Sequence, residues 1–242
     1  MYFEYGEKEI SYLKGKDQKL KEVIEQIGPI KRTVDTDLFS SIVYHIIGQQ
    51  ISTKAQETIW RRTLERVGEV NAENICRMDI EQLQSLGISF RKAEYIEDFA
   101  KNVSDGSFDL ENIRNLSDED AIRSLSSLKG IGVWTAEMLL LFCLQRPNVF
   151  SYDDLAIRRG LRMVYHHRKI DRELFEKYRR RFTPYCSVAS LYFWAVSGGA
   201  IPGMRDYAPA KGKRKYNAMR AGRKPIPRIQ PSSSCRTGMC TR

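Results

Sequence analysis

The sequence predicts an all-α fold, and three observations carry the prediction. Apolar residues recur at helical spacing in nine segments of the 242-residue chain. No stretch alternates apolar and polar residues in the manner of a half-buried strand. A Gly130-Ile131-Gly132 hairpin is all that separates two of the helical segments. Hydrophobic residues make up 42% of the chain, enough for a core arranged as one large domain or two small ones.

The elements follow in order. Helices are expected at about residues 17–27, 37–47, 52–67 and 90–104. In the second of these, Phe39, Ile42, Val43, Ile46 and Ile47 form the apolar face. The turn after it holds Gln49 and Gln50 and leads to Ser52, a candidate N-cap for the third. Ser117 is the candidate cap of a helix at 118–127, with Asp120 three positions on and acid filling the first turn. Beyond the glycine hairpin, Ala136, Leu139, Leu140 and Cys143 recur at helical spacing through 133–144. Gln145 to Asn148 reads as a loop by composition. Three more helices are expected at 154–165, 171–181 and 186–197.

Charge is distributed unevenly. The net charge of +10 resides in Met204 to Arg242, where eleven basic residues meet a single acid, Asp206. The remaining chain carries 29 residues of each sign. The isoelectric point alone therefore argues nothing about the core's partners. The C-terminal stretch is rich in Pro, Gly, Ser, Lys and Arg and is expected to be disordered, with Lys211 to Lys215 suited to electrostatic contact with phosphates. The longest apolar run, Met138 to Leu144, is too short to span a bilayer. Five scattered cysteines without a signal peptide point to a reducing cytoplasm, and none of the spacings suits zinc or an iron–sulfur cluster.

The hairpin is where chemistry enters. Two glycines two apart let the backbone take positive φ twice and leave no Cβ on an approaching surface. The N–H groups of Gly132 and its successors then point outward at a helix N-terminus, an arrangement that holds a phosphate whatever the base sequence. Ile131 is the apolar plug that packs the hairpin onto its helices. An ordinary αα-hairpin with two glycines accounts for the same residues.

Beyond the second helix, Val149-Phe150-Ser151-Tyr152-Asp153-Asp154 leads into the 154–165 segment. Ser151 and Asp154 have the spacing of a capping box, and two acids in a first turn suit the helix dipole. A second reading places one of the acids in a cleft. Breaking a base–sugar bond builds positive charge at C1′, and a carboxylate beneath that carbon, or activating a water there, is its complement. The residues alone leave both readings open.

Four strings together resolve the family. Leu128 to Ala136 (LKGIGVWTA), Ile46 to Ser52 (IIGQQIS), Leu86 to Ala93 (LGISFRKA) and Val149 to Asp154 (VFSYDD) occur in the order of the helix-hairpin-helix DNA glycosylase superfamily. The chain resembles that superfamily over roughly residues 15–200, and within it the 3-methyladenine DNA glycosylase II branch. The resemblance implies a two-lobed helical core with a DNA-binding cleft between the lobes, over residues 1–203, followed by the basic tail, 204–242. It also implies a core without the β-rich N-terminal domain of the bacterial relative.

By position, Asp154 matches the family's catalytic aspartate, with Asp153 its non-catalytic neighbour. Bifunctional members carry a nucleophilic lysine two residues after the second hairpin glycine. Here that position is Trp134, so the resemblance implies base removal by water and no lyase step. Trp134 and Trp194 match pocket tryptophans, and Tyr192 is a weaker candidate; aromatic faces suit a flipped, often cationic alkylpurine. Met138 and Leu155 stand where the bacterial relative has tyrosines, and Cys186 where relatives often have arginine, so the lesion range stays open. Gln50 matches the side chain that fills the gap left by the flipped base, and Gln49 is placed to contact the opposite strand.

The expected DNA contacts are Gly130, Ile131, Gly132, Val133, Thr135, Gln49, Gln50, Ser52 and Arg158. No metal and no cofactor are expected. The expected partner is double-stranded DNA containing a damaged base, met by a monomer in the cytoplasm, associated with a bacterial nucleoid. Two other functions remain open at this point: excision of oxidised or deaminated bases on the same fold, and DNA binding without catalysis, with Asp154 serving only as a cap.

Overall fold

The structure is a computed structural model and describes residues 1–209. Thirteen helices occur among them. They are α1 (Glu7–Lys16), α2 (Gln18–Ile27), α3 (Leu38–Gly48), α4 (Thr53–Val67), α5 (Ala72–Cys76), α6 (Ile80–Ser85), α7 (Phe90–Ser104), α8 (Leu110–Ile113), α9 (Asp118–Ser126), α10 (Val133–Phe142), α11 (Leu155–Tyr165), α12 (Arg172–Phe182) and α13 (Cys186–Ser197). The sole β feature among the described residues is an isolated bridge between Tyr2 and Thr33. No helix among them is long and apolar enough to cross a membrane.

Nine helices lie where the apolar periodicity places them. Seven of them start at a side chain that accepts a backbone N–H: Asp17 for α2, Asp37 for α3, Ser52 for α4, Ser89 for α7, Ser117 for α9, Asp154 for α11 and Asp171 for α12. Four helices have no counterpart in the sequence reading: α1, α5, α6 and α8. Three of these span only four to six residues, too short for a period of 3.6 to register. The fourth, α1, buries one side chain, Leu13, so its apolar stripe is too thin to see.

The helices sort into two lobes. In one, α3 packs on α4, α7 and α10, α7 on α5 and α6, and α10 on α9. In the other, α11 packs on α13 and α2, α13 on α2, α1 and α12, and α1 on α2 and α12. The chain thus starts in the second lobe, builds the first, and returns. Phe39 and Phe99 stack at 4.7 Å in the core of the first lobe. The second lobe centres on Phe150, Phe175, Phe182 and Phe193, with Phe150 stacked on Phe175 at 4.5 Å. Gly160 lets α11 and α13 meet there. A Cβ at that position would lie 2.4 Å from the Phe193 carbonyl oxygen.

Residues 204–208 lie against α11. Arg162 donates to both oxygens of Asp206, at 2.7 and 2.6 Å, and the His166 and Tyr207 rings lie 4.5 Å apart. The acid of the basic segment is thereby tied to the core. Lys211 to Lys215, the expected phosphate-binding run, lies outside the described residues.

Candidate active site between the lobes

The hairpin between α9 and α10 is built by one strained glycine and one open one. Gly130 takes φ +85°, and a Cβ there would lie 2.5 Å from the Tyr95 ring. Gly132, by contrast, has φ −95° and is the N-cap of α10. The expectation of two positive φ angles is therefore corrected: one left-handed residue suffices to reverse the chain, and the second glycine is extended. What Gly132 supplies is space, since nothing lies within 4 Å of the Cβ it lacks. No side chain caps α10, and its first internal backbone bond is made by Ala136 N–H to Gly132. The N–H groups of Val133, Trp134 and Thr135 thus have no intrahelical acceptor. Ile131 is 4% exposed and packs inward, as a plug should.

The Gln49–Gln50 turn is bound to this hairpin. Gln49 ends α3, and its side-chain amide donates to the Gly130 carbonyl. That bond joins the turn to the hairpin. The Lys92 ammonium, from α7, donates to the carbonyls of Ile47 and Gln49 at 2.9 and 2.6 Å, closing the end of α3. Partial burial lowers its pKa from the usual lysine value. Gln50 is left exposed at φ +57°, projecting from a turn held on both sides. Ser52 acts as the cap of α4.

Asp154 lies across from the hairpin, at the start of α11, and is 7% exposed. Four N–H groups converge on its carboxylate. Oδ1 accepts from the backbone of Ala156 and Ile157, both at 2.8 Å, and from Trp194 Nε1 at 3.1 Å. Oδ2 accepts from Trp134 Nε1 at 3.0 Å. The cap and the cleft carboxylate are one group, so the two readings of this residue are compatible. Ser151 does not complete a capping box. Its hydroxyl bonds Glu137 instead, a carboxyl whose pKa burial raises despite that bond.

The two indoles come from opposite lobes, Trp134 on α10 and Trp194 on α13. With Asp154 and Met138 they line a cleft of about 530 Å³ that lies between the lobes. Ile30, Lys31 and Arg32 from the loop before α3, His45 of α3, Phe142 of α10, and Leu191 and Ala195 of α13 complete it. Trp194 stacks on Phe142 at 5.3 Å, and the Arg32 guanidinium covers Phe142 at 4.8 Å.

Two expected pocket residues are not brought there. Leu155 is 73% exposed and does not line the cleft. Tyr192 is 1% exposed, and its hydroxyl donates to the Gly28 carbonyl, one cavity away. Arg158 lays its guanidinium on the Tyr152 ring at 4.9 Å, away from the cleft lining. Lys129 pairs with Asp98 at 2.5 Å. Cys186 is buried, and burial pushes its thiol up to about 11. Among the described residues no group of side chains is arranged to hold a metal ion.

Comparisons with known proteins agree with this helical fold. The profile of the HhH-GPD superfamily of base excision DNA repair proteins matches residues 43–184. The structure of a DNA-3-methyladenine glycosidase from Bacillus halodurans superposes with a TM-score of 0.76 at 31% identity, covering 86% of this chain and 97% of that one. The 3-methyladenine DNA glycosylase Mag1 of Schizosaccharomyces pombe, solved in complex with abasic DNA, gives a TM-score of 0.68 at 29% identity, over 79% of this chain and 97% of that one. YfjP of Bacillus subtilis, provisionally named a DNA-3-methyladenine glycosylase, is 28% identical over 187 residues, 72% of this chain. The present chain spans 64% of that relative's length.

Proposed function

The chain belongs to the HhH-GPD superfamily of base excision DNA repair proteins, and on that premise we propose that it is a monofunctional DNA glycosylase releasing alkylated purines of the 3-methyladenine type. The observation that carries the reading is the Asp154 carboxylate, bonded by two indole N–H groups whose rings line the same cleft between the lobes. A base turned out of the duplex enters that cleft and lies against Trp134, Trp194 and Phe142. An N3-alkylated adenine is cationic as a nucleoside, and electron-rich ring faces stabilise it. It leaves as a neutral base, taking the electrons of the C1′–N bond, so no acid has to protonate it.

The sugar left behind carries positive charge at C1′, and Asp154 lies beneath as its counter-charge. Oδ1 already accepts three N–H groups, whereas Oδ2 accepts one. Oδ2 is therefore the atom with a lone pair for a water. That water adds its oxygen to C1′ and gives up a proton to Oδ2, which passes it to solvent, leaving an abasic site. The open N–H groups at the start of α10 hold a backbone phosphate, and Gln50 fills the vacated stack. Lys31 and Arg32 at the cleft edge add positive charge toward the duplex. In this reading the protein acts as a monomer on duplex DNA of the cytoplasm.

Incubation with methylated duplex DNA, followed by chromatography of released bases and electrophoresis of the strand, tests the proposal. Free 3-methyladenine with an unbroken strand is expected. Release of no purine overturns the glycosylase reading. A borohydride-trapped adduct overturns the monofunctional one and points to Lys31, the one lysine among the cleft residues.

A further inference from the structure

The cleft has few polar atoms free to read a base. Both indole N–H groups are spent on Asp154. Ile30, Met138, Phe142, Leu191 and Ala195 offer no side-chain donor or acceptor of consequence, and Lys31 and Arg32 are exposed cations. His45 remains. Its Nδ1 lies 2.7 Å from the carbonyl oxygen of Ser41, one turn back on α3. A carbonyl can only accept, so Nδ1 carries the hydrogen and, in the neutral ring, Nε2 carries the lone pair. Nε2 has no hydrogen-bond partner among the described residues, yet it is not among the sealed polar atoms.

The ring stands between two cavities. Ser41 lines the second one, together with Asp35, Tyr44 and Cys143, and does not line the cleft of Asp154. His45 lines both cavities, with Nδ1 turned to the Ser41 carbonyl and Nε2 on the other side of the ring. Burial lowers the pKa of the ring below the usual histidine value, against the opposing pull of the Ser41 carbonyl and Asp35. Lys31, Arg32 and Asp154 line the cleft together with the ring.

We propose that His45 is a specificity-determining residue of this cleft: its Nε2 accepts a hydrogen bond from an N–H on the Watson–Crick edge of the flipped purine. The inference rests on the glycosylase reading and adds to it a rule of substrate choice. 3-Methyladenine keeps its exocyclic amine, and 7-methylguanine keeps N1–H and its amine. In 1,N6-ethenoadenine the adduct bridges N1 and N6, and no N–H remains. That base would leave the His45 lone pair facing a carbon edge, buried and unpaired. The cleft thus favours methylpurines over the etheno adduct by about tenfold, the usual consequence of one unmade hydrogen bond.

Two variants test it on the full chain, His45→Leu, which has no acceptor, and His45→Gln, which presents Oε1. Release rates are measured on methylated DNA and on a duplex with a single 1,N6-ethenoadenine. Thermal melting and affinity for an abasic-site duplex report on the fold. The Leu variant is expected to release methylpurines about tenfold more slowly, with ethenoadenine release not reduced and melting and abasic affinity retained. The Gln variant is expected to stay within about threefold of wild type on methylpurines. Methylpurine release by the Leu variant at the wild-type rate overturns the inference. Equal loss on both substrates does so too, as does equal loss in the Gln and Leu variants, since both describe a packing role. Wild-type protein that releases no modified purine from either DNA overturns the glycosylase reading itself.

Discussion

Gly130 and Gly132 separate two things a hairpin glycine can do, and replacing each with alanine separates them in the tube. At Gly130 the backbone sits at φ +85°, a conformation that costs a residue with a Cβ about 1–2 kcal/mol. The added methyl also lies 2.5 and 3.0 Å from two carbons of the Tyr95 ring. Tyr95 is held by a bond from Arg91 Nε to its hydroxyl at 2.6 Å, so the ring does not yield freely. Overpacking of this kind adds about 1–3 kcal/mol. Gly130→Ala should therefore lose about 2–5 kcal/mol of stability in urea unfolding.

At Gly132 the same methyl meets nothing within 4 Å and φ is −95°. Its cost to the fold is that of a poorer N-cap, under about 1 kcal/mol. The methyl instead occupies the space in front of the free N–H groups of α10. Losing one charge-assisted phosphate bond costs about 1.5–3 kcal/mol, or roughly 10- to 100-fold in affinity. Gly132→Ala should accordingly be stable and bind an abasic-site duplex at least about tenfold more weakly, read by fluorescence anisotropy at fixed salt. A Gly132→Ala protein that binds that duplex as tightly as wild type refutes the hairpin as the phosphate seat.

Three further outcomes follow from the same geometry. Trp194→Phe keeps a ring to stack on Phe142 but removes the N–H on Asp154 Oδ1; base release should fall about 10- to 100-fold with little change in melting, and an unchanged rate would show that the indole does not orient the carboxylate. Gly160→Ala drives a methyl to 2.4 Å from the Phe193 carbonyl oxygen and should lower stability by about 1–3 kcal/mol or more, seen as a drop of several degrees in melting temperature. For pH, burial holds His45 below its ordinary value of 6.5, so the unfolded chain takes up that proton first as pH falls. His45's share of the stability is thus whole above about 6.5 and is lost below it. Unfolding free energies measured from pH 7.5 to 5 should show a shallower acid decline in His45→Gln than in wild type.

Much of the architecture could be read from the chain because it rests on local signals. Caps such as Ser52 and Ser117 precede amphipathic runs, and the Gly-Ile-Gly string has few uses other than a tight hairpin. Asp154 was legible as a helix cap and, through the resemblance, as a catalytic group; its two indole bonds were not, because they join residues 20 and 40 positions away. Trp134, Trp194 and Met138 were expected in the pocket through the resemblance, whereas the remaining residues of the cleft were illegible for the same reason. Arg32, His45 and Phe142 lie on separate segments with no shared motif, and the fold alone makes them neighbours. Leu155 was assigned to a pocket by its position, and Tyr192 as a weaker aromatic candidate. Their actual directions depend on where α11 starts and on which face of α13 meets Gly28. Gln49 shows the limit from the other side: a polar residue in an exposed-looking turn spends its amide on a carbonyl 81 positions away.

The central claim is that Asp154 is the catalytic carboxylate of a base-releasing cleft, and Asp154→Asn tests it most directly. The amide oxygen still accepts the Ala156 and Ile157 N–H groups, so the cap survives, but the negative charge is gone and an NH2 faces an indole N–H. Release of 3-methyladenine from methylated DNA is measured for both proteins under single-turnover conditions, beside their affinity for an abasic-site duplex. The account predicts at least about a 10²-fold loss of release with abasic-DNA binding retained. Equal release by the two proteins contradicts it.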